Sequence, residues 1–301
     1  MNPLVTTKLA PESGYQPTRH SLSPLQLSEI PTAMDRMGWA TAARLMRRWF
    51  GNPPYAMSNA VRAGKTSPLE LSQEYYDDHI VTMDWALHYP RCSSAHDRLM
   101  LNWANPNGVD RLTKLLKKQG WHPGLSTPVM LGYDMQTGQA YTTARALHAN
   151  CQTNLSLFGA RSDVLDDMYG ALGTAVCYLA AVGHTALSSG GRDIFVVDRL
   201  GCYIRDTYDF TDGGLVPEPL GVRSRDRCLT KAETMEFMAL LSSRGDSLFA
   251  AYSELSARYP GFVPVFNGDF RRWQEAQNSG GDFLVFSDVR WHQPAIREIQ
   301  L

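Results

Sequence analysis

The sequence predicts an α+β protein, with a helical N-terminal half packed on a C-terminal antiparallel β-sheet or half-barrel with helices. Apolar residues recur at helical spacing in the first half, whereas long apolar runs bounded by glycine turns dominate the second half. With 44% apolar and 10% aromatic residues, the composition is that of a globular protein. We therefore expect a flexible tail at 1–27, a mainly helical region at 28–150 and an α+β region at 151–301.

Helices are predicted in the first half from amphipathic spacing. Between Ala33 and Phe50, apolar residues repeat every three or four positions and arginines fill the other face. Pro53 and Pro54 end this segment, because the residue before a proline disfavours the helical conformation. Residues 97–118 predict a further helical segment that Pro106 divides in two.

Two long strands are predicted in the second half. The runs 172–187 and 194–208 are joined by a turn of small residues that includes Gly190 and Gly191, which is typical of a β-hairpin. The first run is rich in alanine, so a buried helix that ends near Gly183 is the alternative interpretation.

The last part of the chain predicts one more helix and one more strand. The helix spans about 231–259, and Thr230 and Glu233 have the spacing of a capping box at its start. Asp282 and Asp288 flank the apolar strand. We interpret these two acids as the polar ends that keep such a strand soluble.

The second long strand ends in a cluster of two carboxylates and a phenol. A side-chain period of two places Asp206 and Tyr208 on one face of the strand and Arg205 and Asp209 on the other. These groups converge only where the chain bends or bulges, and we expect the Gly213–Gly214 turn to provide that bend.

The residues alone leave two interpretations of this cluster open. In the first, Asp206, Tyr208 and Asp209 form a metal-assisted or acid/base site, because two neighbouring carboxylates either bind a divalent cation or shift a pKa. In the second, the acids pair with Arg205 and Arg223 and cap the turn that follows.

Charge, cysteine content and hydropathy exclude several other classes of protein. The 29 basic and 30 acidic residues are well mixed, which disfavours nucleic acid as a partner. The five widely spaced cysteines show no metal-ligand spacing and no disulfide pattern. No run predicts a transmembrane helix, and Met1–Lys8 does not resemble a secretory signal. We expect synthesis in the cytoplasm and, where the protein is exported, export without a signal peptide.

The segments Tyr169–Gly173, Gly190–Gly191 and Leu200–Ile204, followed by an Asp-x-Tyr-Asp motif at 206–209, resemble the catalytic region of colicin M-type bacteriocins. Enzymes of that family are magnesium-dependent phosphodiesterases that cleave the lipid-linked peptidoglycan precursor, lipid II, in the periplasm. The resemblance therefore implies a metal-dependent phosphodiesterase with Mg²⁺ as its cofactor.

The resemblance also implies roles for individual residues. Asp206 and Asp209 would hold the divalent cation or activate water, and Tyr208 would orient the substrate. Arg205 or Arg223 would stabilise the charge of the phosphate.

This chain departs from the colicin M pattern in one respect. The family has a His-Arg pair shortly after the second aspartate, where this chain has Thr211–Val216, and no histidine follows before His292. Arg223 or Arg225 would replace the arginine, whereas the histidine has no evident replacement.

A second resemblance covers the whole chain. Met34–Phe50, Ile204–Phe210 and Gly280–Val289 are similar to segments of an uncharacterised bacterial family whose members tend to be encoded beside type VI secretion spike components. Taken together, the two resemblances imply an antibacterial toxin with its toxin domain at 151–301. The implied partners are a spike component, a cognate immunity protein and a lipid-linked envelope substrate, and the implied site of action is the periplasm of the target cell.

Three alternative functions stay open at this point. The protein could be a non-catalytic effector that damages membranes or binds a partner. It could also be an accessory or adaptor protein of the secretion system. The third alternative is a nuclease toxin.

Overall fold

A hairpin of two long antiparallel strands, β4 (Ala175–Leu187) and β5 (Asp193–Tyr208), forms the centre of the sheet in the computed structural model of this protein. The structure describes residues 26–211, 219–242 and 248–301. Residues 1–25 of the predicted tail and the predicted Gly213–Gly214 turn lie outside these described residues. The hairpin prediction is confirmed.

Shorter strands extend the hairpin on both sides into a curled, mixed half-barrel. Two strands pair with β4, three pair with β5, and one more pairs in parallel with β8. Two others form a separate small sheet. The strands besides β4 and β5 are β1 (Tyr76–Asp77), β2 (Met130–Leu131), β3 (Gln152–Phe158), β6 (Gly221–Arg223), β7 (Val263–Val265), β8 (Phe283–Phe286), β9 (Arg290–His292) and β10 (Glu298–Gln300).

Helices make up most of the N-terminal half, as predicted, and also flank the small sheet. The α-helices of the described residues are α1 (Ile30–Arg36), α2 (Ala40–Gly51), α3 (Asn59–Arg62), α4 (Met83–Leu87), α5 (Pro90–Asn102), α6 (Pro106–Lys118), α7 (Ala144–Asn150), α8 (Asp167–Ala171), α9 (Lys231–Ser242), α10 (Leu248–Arg258) and α11 (Asn267–Gln277). The α+β fold class is therefore confirmed.

Particular contacts confirm the predicted capping box and exclude the alternative of a buried helix that ends near Gly183. The capping box is formed at α9, where the Glu233 amide donates to Thr230 Oγ1 at 3.3 Å and the Thr230 amide donates to Glu233 Oε2 at 2.8 Å. Gly183 lies inside β4, at a shift in the pairing register with β5. A Cβ atom there would lie 2.0 Å from the Val196 carbonyl oxygen, so this close strand approach requires glycine.

Helices cover both faces of the hairpin. On one face, Cys202 Sγ of β5 lies 3.5 Å from Met100 Sδ of α5. On the other face, the hydroxyl of the next residue, Tyr203, lies 3.2 Å from His148 Nδ1 of α7. Since successive strand residues point to opposite faces, α5 and α7 lie on opposite sides of the sheet.

A buried aspartate joins the helical half to the sheet. The Asp282 side chain is fully buried and accepts hydrogen bonds from the Trp49 indole N–H at 3.0 Å and the Met57 amide at 2.8 Å. It also forms a salt bridge with Arg271 at 2.6 Å. Our interpretation of Asp282 as a solubilising strand end is therefore wrong: its donors compensate for the loss of hydration and anchor it in the interior.

We predict that Asp282→Ala destabilises the protein by roughly 3–5 kcal/mol, because it leaves the Arg271 charge without its carboxylate and the Trp49 indole and Met57 amide without their acceptor. Chemical denaturation measures this change in the free energy of unfolding. The control is Asp110→Ala, which removes an exposed salt bridge to Lys114 and should change stability by less than about 0.5 kcal/mol. Similar values for the two variants would contradict the role of Asp282.

Candidate functional site

A cavity of about 790 Å³ lies at the end of β5, and the Asp206–Thr211 run forms part of its wall. Helices α2 and α8 contribute a largely apolar wall, and the β6 region with the start of α9 contributes a wall that carries cationic side chains. The apolar lining includes Met34, Met46, Leu172, Phe210 and Phe270.

Asp206 is the residue of the cavity with the most altered acidity. Burial raises the pKa of its carboxyl from an ordinary 3.8 to about 8, and the nearby carboxylate of Asp209 adds to this rise. The Thr207 amide and the Arg205 charge act in the opposite direction but do not prevail. The part of Asp206 that stays accessible faces the cavity. Both the protonated and the ionised form are therefore populated near neutral pH.

Asp209 also lines the cavity, but it is neutralised by an arginine that the sequence did not single out. Arg62 Nε, at the end of α3, donates to Asp209 Oδ2 at 3.1 Å. The same guanidinium donates to Thr211 Oγ1 at 2.8 Å. The structure thus brings Asp206 and Asp209 to the wall of one cavity and fixes the second by an ion pair.

Tyr208 is a buried wall residue. Its ring stacks on Phe283 with 5.3 Å between the ring centroids, and its hydroxyl donates to Met46 Sδ at 3.7 Å. Burial raises the pKa of the phenol above its usual range, so the hydroxyl stays protonated.

The two predicted arginines lie in different places. Arg223 of β6 lines the cavity, and no described carboxylate lies within salt-bridge distance of it. Arg205 is not part of the described cavity wall, because its guanidinium donates to the Val61 carbonyl at 3.1 Å on the side of α3. Arg205 and Asp209 both turn towards α3, which agrees with the predicted strand phase.

Two further cationic residues line the cavity, Arg161 and Lys231, and the sequence indicated neither of them. The ammonium group of Lys231 donates to the carbonyls of Arg161 and Asp163 and lies 4.4 Å from the ring centroid of Tyr169. The loop before α8 and the start of α9 are far apart in sequence, so no local motif could have indicated this arrangement.

Two carboxylates in the cavity are of the ligand type that Mg²⁺ binds. Asp206 and Asp209 are the two carboxylates in the described lining of the cavity. Mg²⁺ is usually held by one or two protein carboxylates together with substrate phosphate. One oxygen of Asp209 is already paired with Arg62, so the substrate would complete the set of ligands.

The fold and cavity define an α+β protein with a mixed-charge, partly apolar site. The chain belongs to a family of unknown function, DUF6402, whose sequence pattern matches residues 25–299. No curated protein and no solved structure matches the chain. Among the described residues, no helix combines the length and the apolar character that crossing a membrane requires.

We predict that Asp206 makes the stability of the protein fall as the pH rises from about 4 to about 8. In this range the unfolded chain has lost the proton that folded Asp206 retains, so deprotonation favours unfolding, with a slope of up to about 1.4 kcal/mol per pH unit. The contribution of Asp206 is fully present below pH 4 and lost above pH 8. The free energy of unfolding of wild type and Asp206→Asn, measured across this range, gives the slope.

The Asp206→Asn variant should lack this part of the pH dependence. Asp226→Asn is the control, because Asp226 is exposed and lies outside the cavity. Parallel pH profiles for wild type and Asp206→Asn would show that burial does not raise the Asp206 pKa.

Proposed function

We propose that this protein is an exported antibacterial effector that hydrolyses a phosphoester of a lipid-linked cell-envelope precursor such as lipid II. One observation carries the proposal: the colicin M-like run Asp206–Asp209 lines a single cavity together with the cations Arg223 and Lys231.

The chemistry of the cavity suits an amphipathic anion. Arg223, which has no described carboxylate partner, can pair with a phosphate. Met34, Met46 and Phe270 offer an apolar surface in the same cavity, and methionine adapts readily to flexible chains. This combination favours a phosphate attached to a lipid over a free nucleotide, which would leave the apolar wall without a partner.

Asp206 is the proposed acid/base residue. A group transfers protons most effectively when its pKa is near the working pH, and the pKa of Asp206 is raised to about 8. Asp206 would thus take the role of the histidine that colicin M-type enzymes have and this chain lacks. The attacking water would bond to phosphorus and pass a proton to the ionised Asp206 carboxylate, which would return it to the leaving ester oxygen as the P–O bond breaks.

The remaining residues hold the substrate and the acids in place. Arg223 would bind the phosphate, while Arg62 fixes Asp209. Tyr208 would orient the substrate through the part of its ring that lines the cavity. Arg205 is proposed as a support for α3 and not as a phosphate ligand, because its guanidinium bonds the Val61 carbonyl.

Asp206 and Asp209 would hold Mg²⁺ when it is present. The ion would neutralise negative charge on the phosphate oxygens. Chelation distinguishes two roles of Asp206: activity that survives chelation supports proton transfer by Asp206, whereas activity lost on chelation and restored by Mg²⁺ supports an ion-holding role.

We predict that the protein stops growth of bacteria only when a signal sequence directs it to the periplasm. Asp206→Asn should reduce killing by at least about 100-fold, because it removes the acid/base group. Growth curves with and without the signal measure the effect, and Asp226→Asn is the matched control. Coexpression of a cognate immunity protein should restore growth.

Each alternative function gives a different result in this experiment. Toxicity in the cytoplasm alone would favour a nuclease and overturn the envelope target. Depolarisation that is equal in wild type and Asp206→Asn would favour a membrane-damaging effector. No toxicity in either compartment would favour an adaptor that binds the secretion spike.

We predict that Arg223→Leu weakens binding of a lipid-linked phosphate substrate, whereas Arg223→Lys retains part of it. The lysine keeps the charge but loses the two-pronged geometry of the guanidinium. Hydrolysis of purified lipid II by the purified variants should show a higher KM for Arg223→Leu. An unchanged KM would exclude Arg223 as the phosphate ligand.

A further inference from the structure

A cluster of two histidines and a cysteine lies where α5, β5 and β9 meet, apart from the cavity. His96 of α5, Cys202 of β5 and His292 of β9 present ligand atoms that all lie within 4.8 Å of one another. Cys202 is fully buried and His96 nearly so, whereas His292 is partly exposed. Cys202 is four residues from Asp206 on the same strand face, a distance of about 13 Å, so this cluster and the cavity are separate.

The orientation of the two imidazoles is typical of metal ligands. His96 Nε2 and His292 Nε2 face each other at 3.0 Å. The other ring nitrogen of His96 lies 3.0 Å from Asp97 Oδ1, an acceptor that places the proton on Nδ1 and leaves the Nε2 lone pair free. A carboxylate behind a histidine is the usual outer partner of a metal-bound imidazole.

The remaining donors are sulfur atoms. Cys202 Sγ lies 3.5 Å from Met100 Sδ, and Met100 is one turn from His96 on the same face of α5. On the neighbouring strand β4, Cys177 is a second buried thiol close to Cys202. Thiolate, thioether and imidazole ligands select Zn²⁺ or Cu⁺ and not Mg²⁺ or Ca²⁺.

We propose that His96, Cys202 and His292 bind one thiophilic d¹⁰ cation, Zn²⁺ or Cu⁺, that joins α5 to β5 and β9. The fourth ligand decides between the two ions. Met100 would complete a Cu⁺ site, and Cys177, which lies outside the three-residue cluster, would complete a tetrahedral Zn²⁺ site by turning towards it. The partly exposed His292 provides the route of entry. The role would be structural, because the three ligands come from three different elements and two of them are buried.

The test uses the full-length protein, stripped of metal with a chelator and titrated with Zn²⁺ in air and with Cu⁺ under anaerobic, reducing conditions. Elemental analysis after desalting should show one ion per chain, and the midpoint of thermal unfolding should rise with the bound ion. Cys202→Ser and His292→Asn should lose this binding, whereas Cys151→Ser, a buried cysteine outside the cluster, should keep it.

Three variants test the details and guard against a failure to fold. Because Asp97 is exposed, Asp97→Asn should leave the fold intact. It should weaken metal affinity about 10–100-fold, because it removes the carboxylate behind His96. Met100→Leu should weaken Cu⁺ alone if copper is the ion, and Cys177→Ser should weaken Zn²⁺ alone if zinc is the ion. The proposal is overturned if the wild-type protein binds neither ion at one per chain. It is also overturned if folded His292→Asn binds the ion as well as wild type does. In either case the contact between the two histidines is an N–H···N hydrogen bond.

This proposal and the hydrolase proposal can fail separately. Metal occupancy is measured without substrate, and Asp206→Asn should bind Zn²⁺ or Cu⁺ like wild type. Loss of killing in Asp206→Asn with intact metal binding would support both proposals independently.

Discussion

The rest of the structure depends on the backbone pairing between β4 and β5. Twelve residues of β4 pair with residues of β5, and β2, β3, β8, β9 and β10 are all added to the free edges of this pair. Ladder hydrogen bonds fix the position of each side chain along the strand and the face to which it points. The candidate cavity and the His96–Cys202–His292 cluster thus each include a residue of β5, Asp206 in the first and Cys202 in the second. A rigid strand of this kind holds the side chains of a site in accurate positions.

Two acids in the interior illustrate how surroundings decide the role of a carboxylate. Asp282 receives an indole N–H, a backbone amide and a guanidinium, so its charge is compensated and it links α2 and α11 to the sheet. Asp206 lacks such a set of donors, and burial therefore raises its pKa to about 8. The first arrangement supports the fold, whereas the second leaves a proton that can be exchanged at neutral pH, which is the basis of the proposed hydrolysis.

The cavity also explains how a colicin M-like motif could act without its histidine. In the proposed mechanism, Asp206 transfers the proton in place of the histidine, and Arg223 binds the phosphate. Arg62 forms the ion pair with Asp209 that the sequence suggested for Arg205. The family to which the chain belongs has no known function, so these roles rest on the residues themselves. The sulfur- and imidazole-containing cluster suggests a second, structural use of metal that differs from the Mg²⁺ expected at the carboxylates.

The sequence by itself determined the features that depend on near neighbours. The hairpin, the capping box at Thr230 and Glu233 and the opposite faces of Asp206 and Arg205 all follow from turn residues and from a side-chain period of two. Only the tertiary structure decided which distant groups meet: Arg62 with Asp209, Asp282 with Trp49, and His96 with His292. These partners are separated by more than a hundred residues, and no local spacing encodes such contacts. The raised pKa of Asp206 belongs to the same class, because helices and strands from the whole chain must assemble before that carboxyl is buried.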